Sequence, residues 1–263
     1  MCTIGALYRD DGNLYLFKNR DLIEYKENPL PLIEKGINHK YIKFGVDIEN
    51  KIPGIWAGVN DGGLAIVGAD GNCIYDYKGP HYGGGEKTWE AYEIVLSKYE
   101  SVSEAYPFIM EYYFENKIGG AGDIIIMADR NRAVALEYTM NLWSLQFSGE
   151  VPYIVRTNFF LNMPHLRVMP ETNSVHLSSA KRYERAIGLL SANSAQTTIE
   201  DVKNLLCDKA NGPGSLSICR EGGHGEYKTV CSVIFEISKR NIKAHYVMNE
   251  IPLVDKYQIL EIT

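Results

Sequence analysis

The spacing of apolar and polar positions changes several times along the chain, and each change predicts a different element. Strand spacing begins at Thr3 and resumes at Leu14 after the turn sequence at 10–13, which predicts a β-hairpin. A second hairpin is predicted around Asp61-Gly62, where a turn dipeptide separates two apolar runs. Residues 26–54 contain several prolines and are predicted to be loop with short strands.

Helical spacing occupies two separate parts of the chain. Helices are predicted over 86–99, from a cap at Ser101 to about 116, over 178–191 and over 198–210. Strands are predicted over 123–128, 133–138, 143–147 and 153–158 as an antiparallel meander, and over 229–237 and 242–248 at the end of the chain. This order predicts an α+β fold in one domain, residues 1–263, with antiparallel sheets covered by helices.

Composition excludes several classes of function. The net charge is −6 and no run of Lys or Arg exceeds two residues, so neither nucleic acid nor an anionic membrane is expected as a partner. No signal peptide and no membrane-length apolar stretch are visible, and a soluble, cytoplasmic protein is expected. The five cysteines and six histidines show no metal-binding spacing, and the glycine run at 83–85 lacks a phosphate-loop lysine, so we expect no metal and no cofactor.

Cys2 directly follows the initiator methionine and is the leading candidate for chemistry. If Met1 is removed, one residue carries both a thiol and a free α-amine, whose ordinary pKa values are about 8.5 and about 7.7 to 8.0. Such an amine can take the proton of the nucleophile beside it, as in enzymes with an N-terminal Thr, Ser or Cys. The alternative is that Cys2 is one more small buried residue at the start of a strand.

Polar residues at two strand ends are further candidates. In an antiparallel hairpin, the end of the second strand returns to Cys2 and brings Lys18, Arg20 and Asp21 with it. A cation there would favour a thiolate, and a carboxylate could hold the α-amine, although a solvated strand end would have the same sequence. Asn158 ends another strand beside Phe159, where its amide could donate to an oxyanion or cap a turn.

Six short segments match one known pattern in the same order. The segments are Met1-Cys2-Thr3, Lys18-Asn19-Arg20-Asp21, residues 58–64, Thr157-Asn158, residues 178–185 and residues 229–235. Together they resemble the N-terminal-nucleophile hydrolases, in the group of penicillin V acylases, bile salt (choloylglycine) hydrolases and acyl-coenzyme A:isopenicillin N acyltransferase-like proteins. The resemblance spans nearly the whole chain.

The resemblance implies a fold and a set of roles. The fold would be an αββα sandwich, in which two antiparallel sheets lie between two layers of helices. Cys2 would be the nucleophile and, through its amine, the general base. Asp21 would anchor that amine, Asn158 would donate to the oxyanion and Arg182 would support the site electrostatically.

The sequence departs from the family pattern at two positions. Lys18 stands where the family usually has arginine, so either Lys18 acts as a point charge or Arg20, two residues further on the same strand face, replaces it. Asp70 falls near the position of the family's second oxyanion contributor, and because a carboxylate cannot stabilise an anion, any donor there would belong to the backbone.

Tyr82, Phe159 and Phe160 are expected to contribute to an apolar acyl pocket.

Several functions fit this sequence. The first hypothesis is an amidase that cleaves a linear, non-peptide amide of a small N-acyl substrate through an S-acyl-Cys2 intermediate. The second is an acyltransferase that delivers the same acyl group to an amine or thiol acceptor, and the third is a catalytically silent binding relative. A class II glutamine amidotransferase is disfavoured, because the usual Cys-Gly-Ile start is replaced by Cys2-Thr3-Ile4. The chain is shorter than typical acylases, which argues against their assembly loops and hence against a tetramer, while a homo-oligomer of another kind is left open.

Overall fold

The structure is a computed structural model. It describes residues 1–23, 28–48, 52–71, 86–118, 122–139, 142–149, 151–166, 174–192, 196–222 and 226–262. The strands are β1 (Cys2–Tyr8), β2 (Leu14–Leu22), β3 (Leu32–Lys35), β4 (Lys40–Ile48), β5 (Ile52–Asn60), β6 (Ala65–Asp70), β7 (Asp123–Ala128), β8 (Ala133–Thr139), β9 (Leu142–Phe147), β10 (Tyr153–Arg156), β11 (Lys228–Ile237), β12 (Ile242–Met248) and β13 (Gln258–Ile262). The helices are α1 (Glu86–Lys98), α2 (Val102–Glu115), α3 (Ser174–Ser191) and α4 (Ile199–Leu206).

The strands form two antiparallel sheets. Sheet A has the order β10-β1-β2-β11-β12-β13, and sheet B has the order β3-β4-β5-β6-β7-β8-β9. None of the helices in the described ranges combines the length and the apolar composition of a membrane-spanning segment.

Alternating side chains along each strand build three apolar layers. Ile124 and Ile126 on β7 point into a cluster between the two sheets, whereas Ile125 and Met127 point toward α1 and α2. Leu7 and Phe17 of sheet A pack against α3 and α4 in a third cluster. Because successive strand residues face opposite sides, both faces of each sheet are covered. The order of layers is helices, sheet, sheet, helices, which confirms the expected αββα sandwich.

Most elements with strong local signals are confirmed. Both predicted hairpins form, as β1–β2 and β5–β6. The first predicted helix is observed as α1, and Ser101 caps α2 by accepting from the backbone N–H of Glu104. Thr198 and Asp201 form a reciprocal capping box at the start of α4.

The segment predicted to be mostly loop is more regular than expected. The nine-residue strand β4 lies in it, and β5 begins at Ile52, so that Pro53 is only its second residue, where a missing N–H is tolerated. Lys43 interrupts the apolar pattern of β4, but it is buried and its Nζ pairs with Glu34 Oε1 at 2.6 Å. This ion pair lets a charged residue occupy a strand position that the sequence pattern does not favour.

One strand pairing, one additional strand and two helix ends also differ from the prediction. The fourth strand of the expected meander, β10, leaves β9 and pairs with β1 in the other sheet. The last strand, β13, was missed because only Ile262 of its five residues is buried, as suits a sheet edge. Helix α3 begins earlier than predicted, at Ser174, and α4 ends earlier, with Cys207 at its C-terminal cap.

Gly122 and Gly12 offer a matched test of packing beside the sheet ends. Both have positive φ, 102° and 80°, so alanine is strained at either position. A Cβ at Gly122 would lie 2.5 Å from Phe160 Cζ, whereas a Cβ at Gly12 would meet nothing within 4 Å. We expect Gly12→Ala to lower the free energy of unfolding by about 1 kcal/mol and Gly122→Ala by about 2 to 4 kcal/mol, measured by chemical denaturation. Equal losses would contradict the packing of Phe160.

Candidate active site around Cys2

Cys2 is the first residue of β1, where the ends of three strands meet. Since β1 lies between β2 and β10 and runs antiparallel to both, its N-terminus adjoins their C-terminal ends. Cys2 is directly opposite Arg20 of β2, and Ile4 is opposite Arg156 of β10. The Cys2 side chain is a free thiol, 6% exposed, on the face of sheet A that looks toward sheet B.

Asn158 binds the backbone nitrogen of Cys2. The Cys2 N–H donates to Asn158 Oδ1 at 2.8 Å, and Asn158 Nδ2 donates to the Asp70 carbonyl at 2.9 Å. Arg182 Nη2 donates to the same Oδ1 at 3.0 Å. Two donors on one side and an acceptor on the other fix the orientation of the Asn158 amide.

Arg182 extends from α3 to the start of β1 and is completely buried. Its Nη1 donates to the Cys2 carbonyl and, at 2.9 Å, to Thr3 Oγ1, and its Nη2 contacts Ser179 Oγ at 3.3 Å. Burial and, next, the charge of Arg220 lower the pKa of Arg182, while Asp21 and Cys2 oppose this shift. The guanidinium remains charged at neutral pH, so Arg182 places a positive charge beside the Cys2 backbone.

Asp21 lies on the opposite face of β2 from Arg20, toward the layer of α3 and α4. Its Oδ1 accepts from Thr229 Oγ1 at 2.8 Å, and its Oδ2 is 3.5 Å from Arg220 Nε, with both side chains fully buried. The backbone of Asp21 pairs with Met1, whose carbonyl accepts from the Asp21 N–H at 2.7 Å. The carboxylate therefore belongs to a buried charge cluster, and its predicted anchoring of a Cys2 amine stays a prediction.

Arg220 is a component of the site that the sequence did not reveal. It precedes β11, is completely buried, donates from Nη2 to Ser178 Oγ and donates from its backbone N–H to Thr229 Oγ1 at 2.9 Å. The resemblance had pointed to the segment that begins at Ser178, but not to a role for that hydroxyl. The buried stretch Ile218-Cys219-Arg220 has no regular secondary structure, so no periodicity marks it.

Lys18 and Arg20 lie on one face of β2, as predicted from their spacing, and the structure places Cys2 on the same face. Lys18 Nζ lies 5.1 Å and Arg20 Cζ 5.6 Å from the centroid of the Trp56 ring in sheet B. Lys18 also donates to the Gly68 carbonyl, and Arg20 Nη1 donates to Asn28 Oδ1. Both cations thus span the space between the sheets and stack on one aromatic ring.

Met1 occupies the end of the site. Its ammonium donates to the Asp21 carbonyl at 2.8 Å, and burial lowers the pKa of this amine, while the charges of Cys2, Asp21 and Asp70 oppose that shift. Burial therefore leaves a larger fraction of the Met1 amine neutral at a given pH than in an exposed N-terminus.

The residues expected to bind substrate lie in different surroundings. Phe159 is 4% exposed and packs against His176 and Tyr183, with ring centroids 5.3 Å and 5.8 Å away. Phe160 is completely buried in the core between the sheets and contacts Gly122. Asp70 reaches the site through its backbone carbonyl, as described above, and Tyr82 lies outside the described residues. No group of three or more metal-binding side chains occurs in the described part of the chain.

The layered fold, with a cysteine at the start of a central strand, is that of the N-terminal-nucleophile hydrolases. The family model of acyl-coenzyme A:6-aminopenicillanic acid acyl-transferase matches residues 8–248, and the chain belongs to this family. No curated protein sequence gives a significant match.

Solved structures of three acylases share the fold at low identity. A C2A mutant of the conjugated bile acid hydrolase from Clostridium perfringens has a TM-score of 0.55 and 13% identity, covering 100% of this chain and 97% of its own. Penicillin V acylase from Agrobacterium tumefaciens has a TM-score of 0.55 and 13% identity, with 95% and 84% covered. The Caenorhabditis elegans ortholog of N-acylethanolamine-hydrolyzing acid amidase has a TM-score of 0.51 and 13% identity, with 89% and 92% covered. These likenesses establish the fold.

Thr229 is expected to contribute more stability than its size suggests. Thr229→Val removes the hydroxyl that binds both the Asp21 carboxylate and the Arg220 N–H, leaving two buried polar groups unmatched. Thr157→Val, the control, deprives only the Ser179 carbonyl of its donor. We expect a loss in unfolding free energy of about 3 to 5 kcal/mol for Thr229→Val and about 1 to 2 kcal/mol for Thr157→Val, measured by urea denaturation. The reverse order would refute the assignment of Thr229 as a shared bridge.

Proposed function

We propose that the chain is a cysteine amidase that hydrolyses a linear, non-peptide C–N amide of a small N-acyl compound. In this proposal Met1 is removed, and Cys2 is both the nucleophile and, through its α-amine, the general base. An S-acyl-Cys2 thioester is the intermediate. The family assignment supports acyl-transfer chemistry in general, while the matched region begins at residue 8 and so does not itself include Cys2.

One observation carries the proposal: the Cys2 nitrogen lies 2.8 Å from Asn158 Oδ1 in a buried, positively charged site. After loss of Met1 this nitrogen is the α-amine, and Asn158 Oδ1 would accept one of its hydrogens. The lone pair can then be directed at the thiol of the same residue, which is the arrangement needed for a self-activated nucleophile. Burial lowers the pKa of the Met1 amine in the present chain, and we expect similar burial to favour the neutral, basic form of a Cys2 α-amine.

The reaction follows from these groups. The amine takes the thiol proton, and Sγ attacks the substrate carbonyl carbon to form a tetrahedral oxyanion. The amine then gives its proton to the leaving nitrogen, the C–N bond breaks, and the thioester remains. Water, deprotonated by the same amine, attacks the thioester carbonyl. The C–S bond breaks, the amine returns the proton to Sγ, and the carboxylic acid leaves while the Cys2 thiol is regenerated.

Asn158 and Arg182 are proposed to stabilise the charge that develops. An amide nitrogen carries two hydrogens, so the bond from Asn158 Nδ2 to the Asp70 carbonyl is compatible with a second donation to the oxyanion. Arg182 supports Asn158 by donating to its Oδ1 and adds a buried positive charge. The acyl group would lie between the sheets, on the face that carries the Cys2 side chain, with Phe159 among its expected neighbours.

An acyltransferase is the second candidate, and the family description favours it. The matched family is named for transfer from an acyl-coenzyme A to 6-aminopenicillanic acid, whereas the similar structures are named as hydrolases or acylases. The acyl-enzyme is the same in both reactions. The difference is that an acceptor amine, in place of water, attacks the thioester.

The acyl-enzyme is directly measurable. We expect the intact mass of purified protein to lack Met1 and to gain one acyl group on incubation with N-acyl amides or activated acyl esters, because Cys2 is then acylated. Cys2→Ala should gain none. Release of free acid without added amines indicates the amidase, and N-acylation of an added amine indicates the transferase. Retention of Met1, or loss of Met1 with a folded chain that takes no acyl group, would instead favour the silent binding relative.

The register of β1 and β2 favours Arg20 over Lys18 as the cation that stabilises a Cys2 thiolate. Arg20 is directly opposite Cys2, whereas Lys18 is opposite Ile4 and donates to the Gly68 carbonyl. We expect Arg20→Gln to slow alkylation of Cys2 by iodoacetamide at pH 7 about tenfold, and Lys18→Gln less than threefold, because a cation nearer the sulfur stabilises the thiolate more. The rates are measured by mass spectrometry of the N-terminal peptide. A larger effect of Lys18→Gln would assign the family arginine's role to Lys18.

A further inference from the structure

Two buried arginines share a single carboxylate behind Cys2. Arg182 and Arg220 are both completely unexposed, and Asp21 is the carboxylate that faces Arg220, with Oδ2 3.5 Å from its Nε. Arg220 Nε and Nη1 and Asp21 Oδ2 make no hydrogen bond within the described residues. The cluster therefore carries more positive than negative charge in a place where charge is costly to bury.

We infer that Arg220 is a positioning residue of the active site: it holds Asp21 and Arg182 in place and provides the surplus positive charge that favours an anionic Cys2 sulfur. The effect of Arg220 on turnover rests on the proposed function. The contacts of Arg220, and its effect on the reactivity of the Cys2 thiol, do not depend on that function.

The positioning role is visible as a chain of contacts. Arg220 binds Thr229 through its backbone N–H at 2.9 Å, and Thr229 Oγ1 donates to Asp21 at 2.8 Å. On its other side, Arg220 Nη2 donates to Ser178 Oγ, which also lies 3.5 Å from Arg182 Nε. Arg182 in turn donates to the Cys2 carbonyl. Arg220 thus connects β2, β11 and α3 at the point where each approaches Cys2.

The charges of the cluster influence one another. Burial lowers the pKa of Arg182 most, the positive charge of Arg220 lowers it further, and the negative charges of Asp21 and Cys2 raise it. Among the described residues, the cluster of two guanidinium groups and one carboxylate has one positive charge without an anionic partner. A thiolate or an oxyanion at Cys2 would balance that charge.

Other charged groups approach Cys2 from each neighbouring element, and they limit the size of the expected effect. Lys18 and Arg20 face it from β2, Arg182 from α3, and Asp70 from the end of β6, whose carbonyl binds Asn158. The Met1 ammonium lies beside Asp21 when Met1 is present. All of these remain when Arg220 is replaced, so we expect a reduced reactivity of Cys2 and not its loss.

The test compares Arg220→Gln, Arg220→Lys and the unsubstituted chain by the rate at which iodoacetamide alkylates Cys2 at pH 7. The N-terminal peptide identifies the site, and burial raises the pKa of Cys207 to about 11 and of Cys219 to about 12, so these thiols react slowly. We expect Arg220→Gln to lower the rate about tenfold and Arg220→Lys, which keeps the charge, to remain within about twofold. An unchanged rate in a folded Arg220→Gln would overturn the electrostatic half of the inference.

Turnover tests the positioning half. Ser178→Ala breaks the link between the arginines but keeps both charges, and we expect it to lower kcat about tenfold with little change in KM or in the alkylation rate. Arg220→Lys should show the same split, because Lys lacks the fork that reaches both Ser178 and Asp21. Wild-type kcat in both variants would overturn it.

Controls separate folding and function from the inference. Arg185→Gln removes an arginine of α3 that pairs with Asp208 at 2.7 Å and is 37% exposed, and it should change neither rate. Thermal unfolding establishes that each variant is folded, and if Arg220→Gln does not fold, Ser178→Ala and Arg220→Lys still decide the positioning half. Absence of turnover in the unsubstituted chain would defeat the proposed function, while the alkylation series would still test the inference.

Discussion

The site depends on one constraint, the antiparallel pairing of β1 with a strand on each side. This pairing places the first residue of β1 next to the last residues of β2 and the residues that follow β10. Cys2 consequently meets Arg20 and Asn158 without any loop having to bring them together. Because the two sides of β2 alternate, the same pairing directs Arg20 between the sheets and Asp21 toward the helices. Groups held by a sheet are positioned more narrowly than groups held by loops.

The two faces of sheet A carry different groups of the candidate site. The thiol, Lys18 and Arg20 lie in the space between the sheets, where Trp56 covers both cations. The buried cluster of Asp21 and the two arginines lies behind the strands, among α3 and β11. A substrate that reaches the thiol through the space between the two sheets does not have to displace the charged side chains on the other face of sheet A. In the proposed reaction the rear cluster would therefore remain fully buried and unchanged, which is the condition under which fixed charges are most effective.

Local signals account for the parts of this arrangement that the sequence predicted. Turn residues fixed both hairpins, capping residues fixed the starts of α2 and α4, and the hairpin alone was enough to bring Lys18, Arg20 and Asp21 toward Cys2. The transfer of β10 into the other sheet depends on contacts between residues about 150 positions apart, such as Ile4 with Arg156, which no local pattern reports. The role of Arg220 could not be predicted from the sequence for a related reason. Its burial follows from tertiary packing of an irregular segment, and a charged residue in such a segment is ordinarily exposed.

Under the proposed function, the same geometry separates the two halves of acyl transfer. Formation of the thioester would rely on the strand ends, because the amine, the sulfur and Asn158 all belong to β1 or follow β10 directly. The choice between water and an acceptor amine relies on what can approach the completed thioester, since one amine serves as base for either attack. Under that proposal, a chain could exchange hydrolysis for transfer without any change to the groups at the strand ends that form the thioester.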